Sequence, residues 1–205
     1  AWDIAGFSGD VPTTELYCRS AAQAAFSPVM QLHSETSGDP SPSVARTPWN
    51  MAERKGSDTC LEVYKYYANL RMNLLPYIYS EAAYSSESGE PLMRSMAYEF
   101  PADGKAAEYE YQYMLGRSLL VAPVTEISSG RVEVYLPEGE WYGFFDGELY
   151  EPGTHIFECE LDEIPVFVRA GSVIPLNTVD GKLGSYVGND TESYSDLEFW
   201  SFADG

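Results

Sequence analysis

The sequence has few basic residues, and this limits the partners it can bind. Lysine and arginine total 12 against 32 aspartate and glutamate residues, a formal net charge of −20 at pH 7. Because this charge repels phosphate and no basic stripe is present, we expect no nucleic acid and no anionic membrane surface as partners. No apolar run approaches the ~20 residues of a membrane-spanning helix. A neutral ligand is not disfavoured.

Cysteine is scarce, and cofactor motifs are missing. Cys18, Cys60 and Cys159 are widely spaced, with no C-x-x-C pair and no zinc-ligand spacing. Free thiols of this kind are usually buried, and they favour a reducing compartment, so we expect a cytoplasmic protein. The sequence contains no phosphate-binding loop, no G-x-G-x-x-G, no G-x-S-x-G and no H-E-x-x-H. We therefore expect neither a metal nor a cofactor.

The first part of the chain alternates strand and helix patterns. A strand in WDIAG is followed by a helix in VPTTELYCRSAAQAAF, with Thr13 or Thr14 as N-cap, and by a second strand in PVMQLHS. A loop is predicted over residues 35–57, including Trp49, and then one long helix over about 59–86, kinked at Pro76. Both strands are apolar runs, as expected for parallel strands covered on both faces. Two such strands do not form a stable sheet alone, so we expect a longer parent chain.

The second part is predicted to be all-β. Short apolar runs recur between turns, with Asp146-Gly147 and Asp180-Gly181 as hairpin signals. This pattern is typical of an antiparallel β-sandwich. The runs are PLMRSMAYEF, YQYML, SLLVAPV, RVEVYLP, EWYGFF, ELYEPGTHIFECEL, IPVFVRAGSVIPL and LEFWSFADG. The last run is read as one arm of a hairpin, so truncation is expected at both ends of the sequence.

Two polar residues mark the ends of the two parallel strands. Asp3 lies near the end of the first strand and His33 at the end of the second. In a barrel of alternating strands and helices, working residues lie at such strand ends, so both side chains are predicted to converge on one ligand. Three aromatic residues could pack against the apolar face of a sugar ring: Trp2, Phe7 and Trp49.

Structural alternatives remain open for these residues. Asp3 could cap the following turn or pair with Arg19, and His33 could be a hydrogen-bonded structural histidine. Glu35 could be a solvated loop acid. A hydrolase using Asp3 and Glu35 alone is a weak hypothesis, because the two acids belong to different strand ends and Glu35 begins a loop.

A set of ordered segments resembles the C-terminal part of glycoside hydrolase family 31, the α-glucosidase and α-xylosidase group. The segments are WDIAGFSGD, TELYCRSAAQAAFSPVMQLHS, RTPW, RMNLLPYIYS, GEPLMRSMAYEFPAD, YQYMLGRSLLVAPV, VYLPEGEWYGFFDG and IPVFVRAGSVIPL. The resemblance implies α/β plus all-β architecture: residues 1–88 as the last two β/α units of a (β/α)8 barrel, and 89–205 as a proximal β-sandwich. It also implies sugar binding in the −1 subsite by Asp3 and His33, with Phe7 in the same turn and Trp49 as a rim or structural residue.

The resemblance implies a retaining α-glycoside hydrolase of bacterial type, of which this chain is a fragment. The family's nucleophile and acid/base aspartates belong to upstream motifs, so no catalytic residue is expected here and the chain alone is predicted to be inactive. Its partners would be an α-glycoside or α-linked oligosaccharide and the rest of the barrel, or other copies of the chain. Gln31 stands where the family has arginine, and Thr47 where R-E-P-W has an acid.

A second class of function is a non-catalytic acidic β-sandwich that binds glycans or a protein partner. The aromatic residues of EWYGFFDGELY motivate this alternative. Aromatic residues in hairpins usually pack between sheets, however, so we prefer the hypothesis that the chain is part of an enzyme.

Overall fold

The computed structural model describes residues 2–34, 45–190, 194 and 196–204. Two short strands, β1 (Trp2–Asp3) and β2 (Met30–Gln31), pair in parallel, with Asp3 opposite Gln31. Four helices complete the first part: α1 (Thr14–Ala25), α2 (Pro48–Lys55), α3 (Thr59–Asn73) and α4 (Leu75–Ser88). The predicted order of strand, helix, strand and helix is confirmed.

Helix α1 connects the two strands and packs against α3. It begins after Thr13, whose hydroxyl accepts a hydrogen bond from the Leu16 amide at 3.1 Å, as predicted. Its inner face is rich in alanine, which allows α3 to approach closely. Arg71 of α3 donates to the carbonyls of Ala25, the last residue of α1, and of Ser27 and Pro28 just after it. Burial lowers the pKa of the Arg71 guanidinium to about 10.

The predicted loop over residues 35–57 is wrong in its second half, because α2 occupies residues 48–55. The helix has local signals at both ends. Pro48 supplies a fixed φ at its first position, and Gly56 ends it in the left-handed region with a φ of 61°. Trp49 therefore lies on a helix, while residues 35–44 lie outside the described part of the chain.

The single helix predicted over 59–86 is two helices that meet at Leu74. Proline has no amide hydrogen and clashes with the preceding turn, so Pro76 is placed in the first turn of a new helix rather than within a continuous one. Gly89 ends α4 with a φ of 79°, as its position in the sequence predicts.

The second part consists of antiparallel strands. Six of them form one sheet in the order β3-β4-β5-β10-β7-β8, while β6 pairs with β9 and β11 with β12. Every pairing among them is antiparallel. The strands are β3 (Met93–Ser95), β4 (Tyr113–Leu115), β5 (Leu119–Val121), β6 (Arg131–Leu136), β7 (Trp141–Gly143), β8 (Leu149–Tyr150), β9 (Gly153–Glu158), β10 (Val166–Arg169), β11 (Val173–Leu176) and β12 (Glu198–Ser201).

Two local predictions in this part need correction. The run PLMRSMAYEF is not one strand, because Ser95 caps a helical turn, α5 (Met96–Glu99), by accepting from the Tyr98 amide. Asp146-Gly147 does not form a two-residue turn: β7 ends at Gly143 and β8 begins at Leu149. At Asp180-Gly181, by contrast, φ is 53° and 69°, and this predicted turn is confirmed.

The central strands of the six-stranded sheet, β4, β5 and β10, are buried on both faces. One face packs on the β6–β9 pair through a cluster that includes Met114, Leu120 and Trp141. The other face belongs to the larger core shared with the helices, which includes Phe144. Trp141 and Phe144 of the EWYGFF segment are therefore core residues, so they are not available to a glycan.

The contact between α4 and the sheet depends on a glycine. Gly116 has a φ of +63°, and a Cβ atom there would lie 2.5 Å from both Glu81 Cγ and the Tyr77 hydroxyl. Both side chains already make hydrogen bonds: Glu81 accepts from the Arg117 amide at 2.9 Å, and Tyr77 donates to the Leu115 carbonyl at 2.7 Å. Neither can move without losing a hydrogen bond.

Gly116→Ala is therefore expected to lower the free energy of unfolding by about 2–4 kcal/mol, because overpacking and left-handed strain add together. Gly147→Ala is the matched control, since Gly147 has a φ of +70° and nothing within 4 Å of its Cβ position. It should cost only about 1–2 kcal/mol of backbone strain. Thermal or urea unfolding of both variants checks this, and equal losses would contradict the steric argument.

Candidate sugar-binding site

Asp3 and His33 lie side by side at the ends of the two parallel strands. β1 ends at Asp3 and β2 ends at Gln31, two residues before His33. His33 Nδ1 lies 3.6 Å from Asp3 Oδ1. Because parallel strands present their carboxyl ends at one edge, the two groups meet there. The predicted convergence is confirmed, while their role in binding a sugar stays a prediction.

Gln31 holds the Asp3 carboxylate. Its side-chain Nε2 donates to Asp3 Oδ1 at 2.5 Å, across the register pair of the two strands. The alternative pairing of Asp3 with Arg19 is not observed in the described residues. Arg19 instead donates to the backbone carbonyls of Cys159, Glu160 and Glu163 in the β-rich part.

Phe7 adds an aromatic ring to this cluster. The Phe7 and His33 rings have centroids 4.9 Å apart and planes at 60°, an edge-to-face contact. The His33 side chain is 62% exposed and that of Asp3 is 28% exposed. Phe7 is also largely exposed. A carboxylate, an imidazole and an aromatic edge thus line one open surface.

The loop after β1 has a strained conformation that places Phe7. Ala5 has a φ of 61° and Gly6 a φ of 86°. The Ala5 amide donates to the Ser20 hydroxyl at 2.6 Å, and the Gly6 amide donates to the Asp3 carbonyl at 2.8 Å. Left-handed backbone at a residue with a side chain persists only where surrounding contacts enforce it.

Arg46 supplies most of those contacts. Its guanidinium is buried and donates to the carbonyls of Ala5 and Gly6 at 2.6 Å each, and to those of Gly9 and Asp10 at 3.0 and 3.2 Å. Its own carbonyl accepts from the Tyr17 hydroxyl at 3.0 Å. Sequence reasoning missed Arg46 as a site residue, although it begins the RTPW segment.

The remaining candidates are less closely connected. Trp49 is 60% exposed on α2, and no contact joins it to Asp3, Phe7 or His33 within the described residues. The backbone of Trp2 lies in β1 beside Met30, but its side chain lies outside the described part, as does Glu35. Thr47 precedes α2, and its hydroxyl is buried without a partner in the described structure.

The chemistry of this cluster favours binding over nucleophilic attack. A carboxylate oxygen accepts hydroxyl hydrogens, an imidazole donates or accepts one more, and an aromatic ring packs on an apolar sugar face.

The three cysteines are free and buried, and burial raises the pKa of Cys18 to about 12 and that of Cys159 to about 11, so both are protonated thiols at neutral pH. No group of three potential metal ligands occurs among the residues that the structure describes.

No helix in the described ranges is both long enough and apolar enough to cross a bilayer.

Comparison with known proteins identifies the family. Residues 1–81 match the family model for the glycosyl hydrolases family 31 TIM-barrel domain, and residues 89–174 match the model for the glycosyl hydrolase family 31 C-terminal domain. The chain belongs to glycoside hydrolase family 31. The two matches follow each other in the order that the sequence resemblance implies.

Several family 31 relatives are similar over almost the whole chain. An isomaltosyltransferase from Sporosarcina globispora is 44% identical over 97% of the chain. The solved cycloalternan-forming enzyme from Listeria monocytogenes, in complex with a pentasaccharide substrate, has 47% identity and a TM-score of 0.95 over the full chain. A cycloalternan-degrading enzyme from Trueperella pyogenes, in complex with a covalent intermediate, has 41% identity and a TM-score of 0.79 over 83% of the chain.

The family 31 relatives are much longer than this chain. It spans 18% of the isomaltosyltransferase, 20% of the cycloalternan-forming enzyme and 24% of the cycloalternan-degrading enzyme. This chain therefore corresponds to only a part of each of these enzymes.

Proposed function

We propose that the whole protein is a retaining family 31 enzyme that cleaves α-linked gluco-oligosaccharides and passes the released glycosyl group to a sugar or to water. This chain would contribute Asp3, His33 and Phe7 to the −1 subsite, and we propose Trp2 and Trp49 as further aromatic contacts to the bound sugar. The observation that carries the proposal is the convergence of Asp3, His33 and Phe7 at one edge of a parallel strand pair.

We propose that residues 1–88 form the last two β/α units of the catalytic barrel and residues 89–205 a proximal β-sandwich. The two family matches support a change of domain between residues 81 and 89. The parallel pairing of β1 and β2 and the antiparallel pairing of the later strands support the same division.

The proposed reaction has two steps. A carboxylate attacks the anomeric carbon while a second carboxylic acid protonates the departing glycosidic oxygen, the two groups being about 5–5.5 Å apart. A sugar hydroxyl or water then attacks the glycosyl-enzyme, giving its proton to the second carboxylate and releasing the nucleophile. Both carboxylates are expected upstream of this chain, so the chain alone should be inactive.

The residues of this chain would act on the sugar ring. Asp3 would accept hydrogen bonds from ring hydroxyls and His33 would bind one more, while Phe7 would pack at the edge of the pocket. Hydrogen bonds of this kind accelerate the reaction only where they strengthen as the ring flattens toward the oxocarbenium-like transition state. A preorganised carboxylate meets that condition, because it need not reorganise during the reaction.

The similarity to an isomaltosyltransferase and to cycloalternan-forming and cycloalternan-degrading enzymes supports an isomaltosyl group as the transferred unit. We expect the whole protein to consume panose, which carries a non-reducing isomaltosyl end. Hydrolysis would release isomaltose and glucose, whereas transfer would release glucose and form larger oligosaccharides.

Product analysis of panose digests by chromatography tests the function, and proton NMR of the first-formed product tests retention. Appearance of the α-anomer first is expected. A whole protein that leaves both panose and 4-nitrophenyl α-D-glucoside intact would overturn the proposed function.

A further inference from the structure

The Asp3 carboxylate is engaged at one oxygen only by the described residues. Gln31 Nε2 donates to Oδ1 at 2.5 Å, and His33 Nδ1 lies 3.6 Å from that same oxygen. No described residue donates to Oδ2. The Asp3 side chain is 28% exposed, so among the described residues the carboxylate is anchored at Oδ1 and remains partly accessible.

The strand register explains why Gln31 reaches Oδ1. Asp3 and Gln31 are paired residues on neighbouring parallel strands, which run about 4.8 Å apart, so their side chains leave one face of the pair together. The amide is long enough to close that gap with one hydrogen bond. It is also uncharged, so it orients the carboxylate without neutralising it.

We propose that Gln31 is a positioning residue for sugar binding, because its amide fixes the Asp3 carboxylate through Oδ1 and leaves Oδ2 to accept a hydroxyl of the bound sugar. This inference rests on the proposed function of Asp3. It assigns Gln31 a role in ordering the pocket and assigns the two oxygens of Asp3 different tasks.

An isosteric substitution separates this role from a general structural one. In Gln31→Glu, the introduced carboxyl group can donate to Asp3 Oδ1 while it is protonated, as the amide does. Once that proton is lost, two carboxylates face each other at hydrogen-bonding distance, and their repulsion turns Asp3 away. In the described part of the chain, His33 is the titratable group beside the pair, and the nearby charge of Arg46 is bonded to the carbonyls of Ala5 and Gly6 in the loop after β1.

The experiment compares variants of the whole protein over about pH 5 to 8, as kcat/KM relative to wild type at each pH. For Gln31→Glu this ratio should be highest at the acid end and fall about tenfold per pH unit above the upper apparent pKa of the pair. It should recover when the enzyme is returned to acid pH. Gln31→Leu should lose about 10- to 100-fold at every pH, because the hydrogen bond to a charged group is gone.

Gln23→Glu is the matched control. Gln23 lies on α1 and makes no contact with Asp3 within the described structure, so this variant makes the same charge change away from the pair. Its ratio should stay near one throughout the range. A circular dichroism spectrum of Gln31→Glu that stays unchanged over the same pH range excludes unfolding as the cause of its loss.

Two failures are distinguishable. A wild-type protein that leaves panose and 4-nitrophenyl α-D-glucoside intact would sink the proposed function. An active wild type whose Gln31→Glu ratio does not change with pH, or whose Gln31→Leu variant keeps full kcat/KM, would overturn only the role of Gln31.

Discussion

Replacing Asp3 with alanine should lower kcat/KM of the whole protein on α-glucosides by about a thousandfold. Under the proposed function the Asp3 side chain is a preorganised hydrogen-bond acceptor for the sugar, and removing one preorganised polar contact from a transition state costs about 10²–10³-fold. The substitution also leaves Gln31 Nε2 without the oxygen that it bonds at 2.5 Å. Steady-state kinetics on 4-nitrophenyl α-D-glucoside and on panose measures the effect.

Asp10→Ala is the control for this variant. Asp10 is an exposed carboxylate seven residues further along the same loop, so its removal changes the charge equally without touching the Asp3 cluster. We expect a kcat/KM close to wild type for Asp10→Ala. Near-normal turnover in Asp3→Ala, with circular dichroism unchanged, would count against Asp3 as a sugar ligand.

Replacing Arg46 with leucine should lower the free energy of unfolding by about 3 kcal/mol or more, because four backbone carbonyls lose a charged donor. The guanidinium bonds the carbonyls of Ala5, Gly6, Gly9 and Asp10 from a buried position. Without it, the left-handed conformation at Ala5 has lost a main constraint, so Phe7 should leave its contact with His33. Thermal unfolding and steady-state kinetics of the whole protein report the two effects.

Arg46→Lys is the informative comparison. Lysine keeps the charge but has a single ammonium in place of a planar fork, so it can serve only some of the four carbonyls. Its loss of stability should lie between wild type and Arg46→Leu. If Arg46→Leu unfolds at the wild-type midpoint and retains full kcat/KM, the guanidinium does not hold this loop.

The net acidic charge is compatible with the proposed sugar site, and the buried thiols have no part in it. A net charge of −20 does not oppose binding of an uncharged oligosaccharide, while it disfavours phosphate-rich partners. The raised pKa values of Cys18 and Cys159 follow from burial and give these residues no nucleophilic function.

Local sequence signals correctly predicted the ends of elements that a capping side chain or a glycine fixes. Thr13 caps α1, Gly89 ends α4 and Asp180-Gly181 forms the expected turn, because each depends on a side chain or a φ that a few neighbouring residues fix. The α2 helix was missed, since Ser, Pro and Gly around it favour a loop. Asp146-Gly147 correctly marked the connection between the antiparallel strands β7 and β8, but that connection is longer than two residues, because β7 ends at Gly143 and β8 begins at Leu149.

Ordered motifs predicted the family by resemblance, and apolar runs with turn residues predicted the order of parallel and antiparallel parts and the polar residues at the strand ends. These follow from apolar periodicity, turn residues and ordered motifs, all of which are local in the chain. Two contacts are visible only in the folded chain: Gln31 donates to Asp3 Oδ1, and Arg46 holds the loop that carries Phe7. Both contacts join residues 28 to 41 positions apart in the chain, and such pairs are set by strand register and helix packing, which no local pattern encodes.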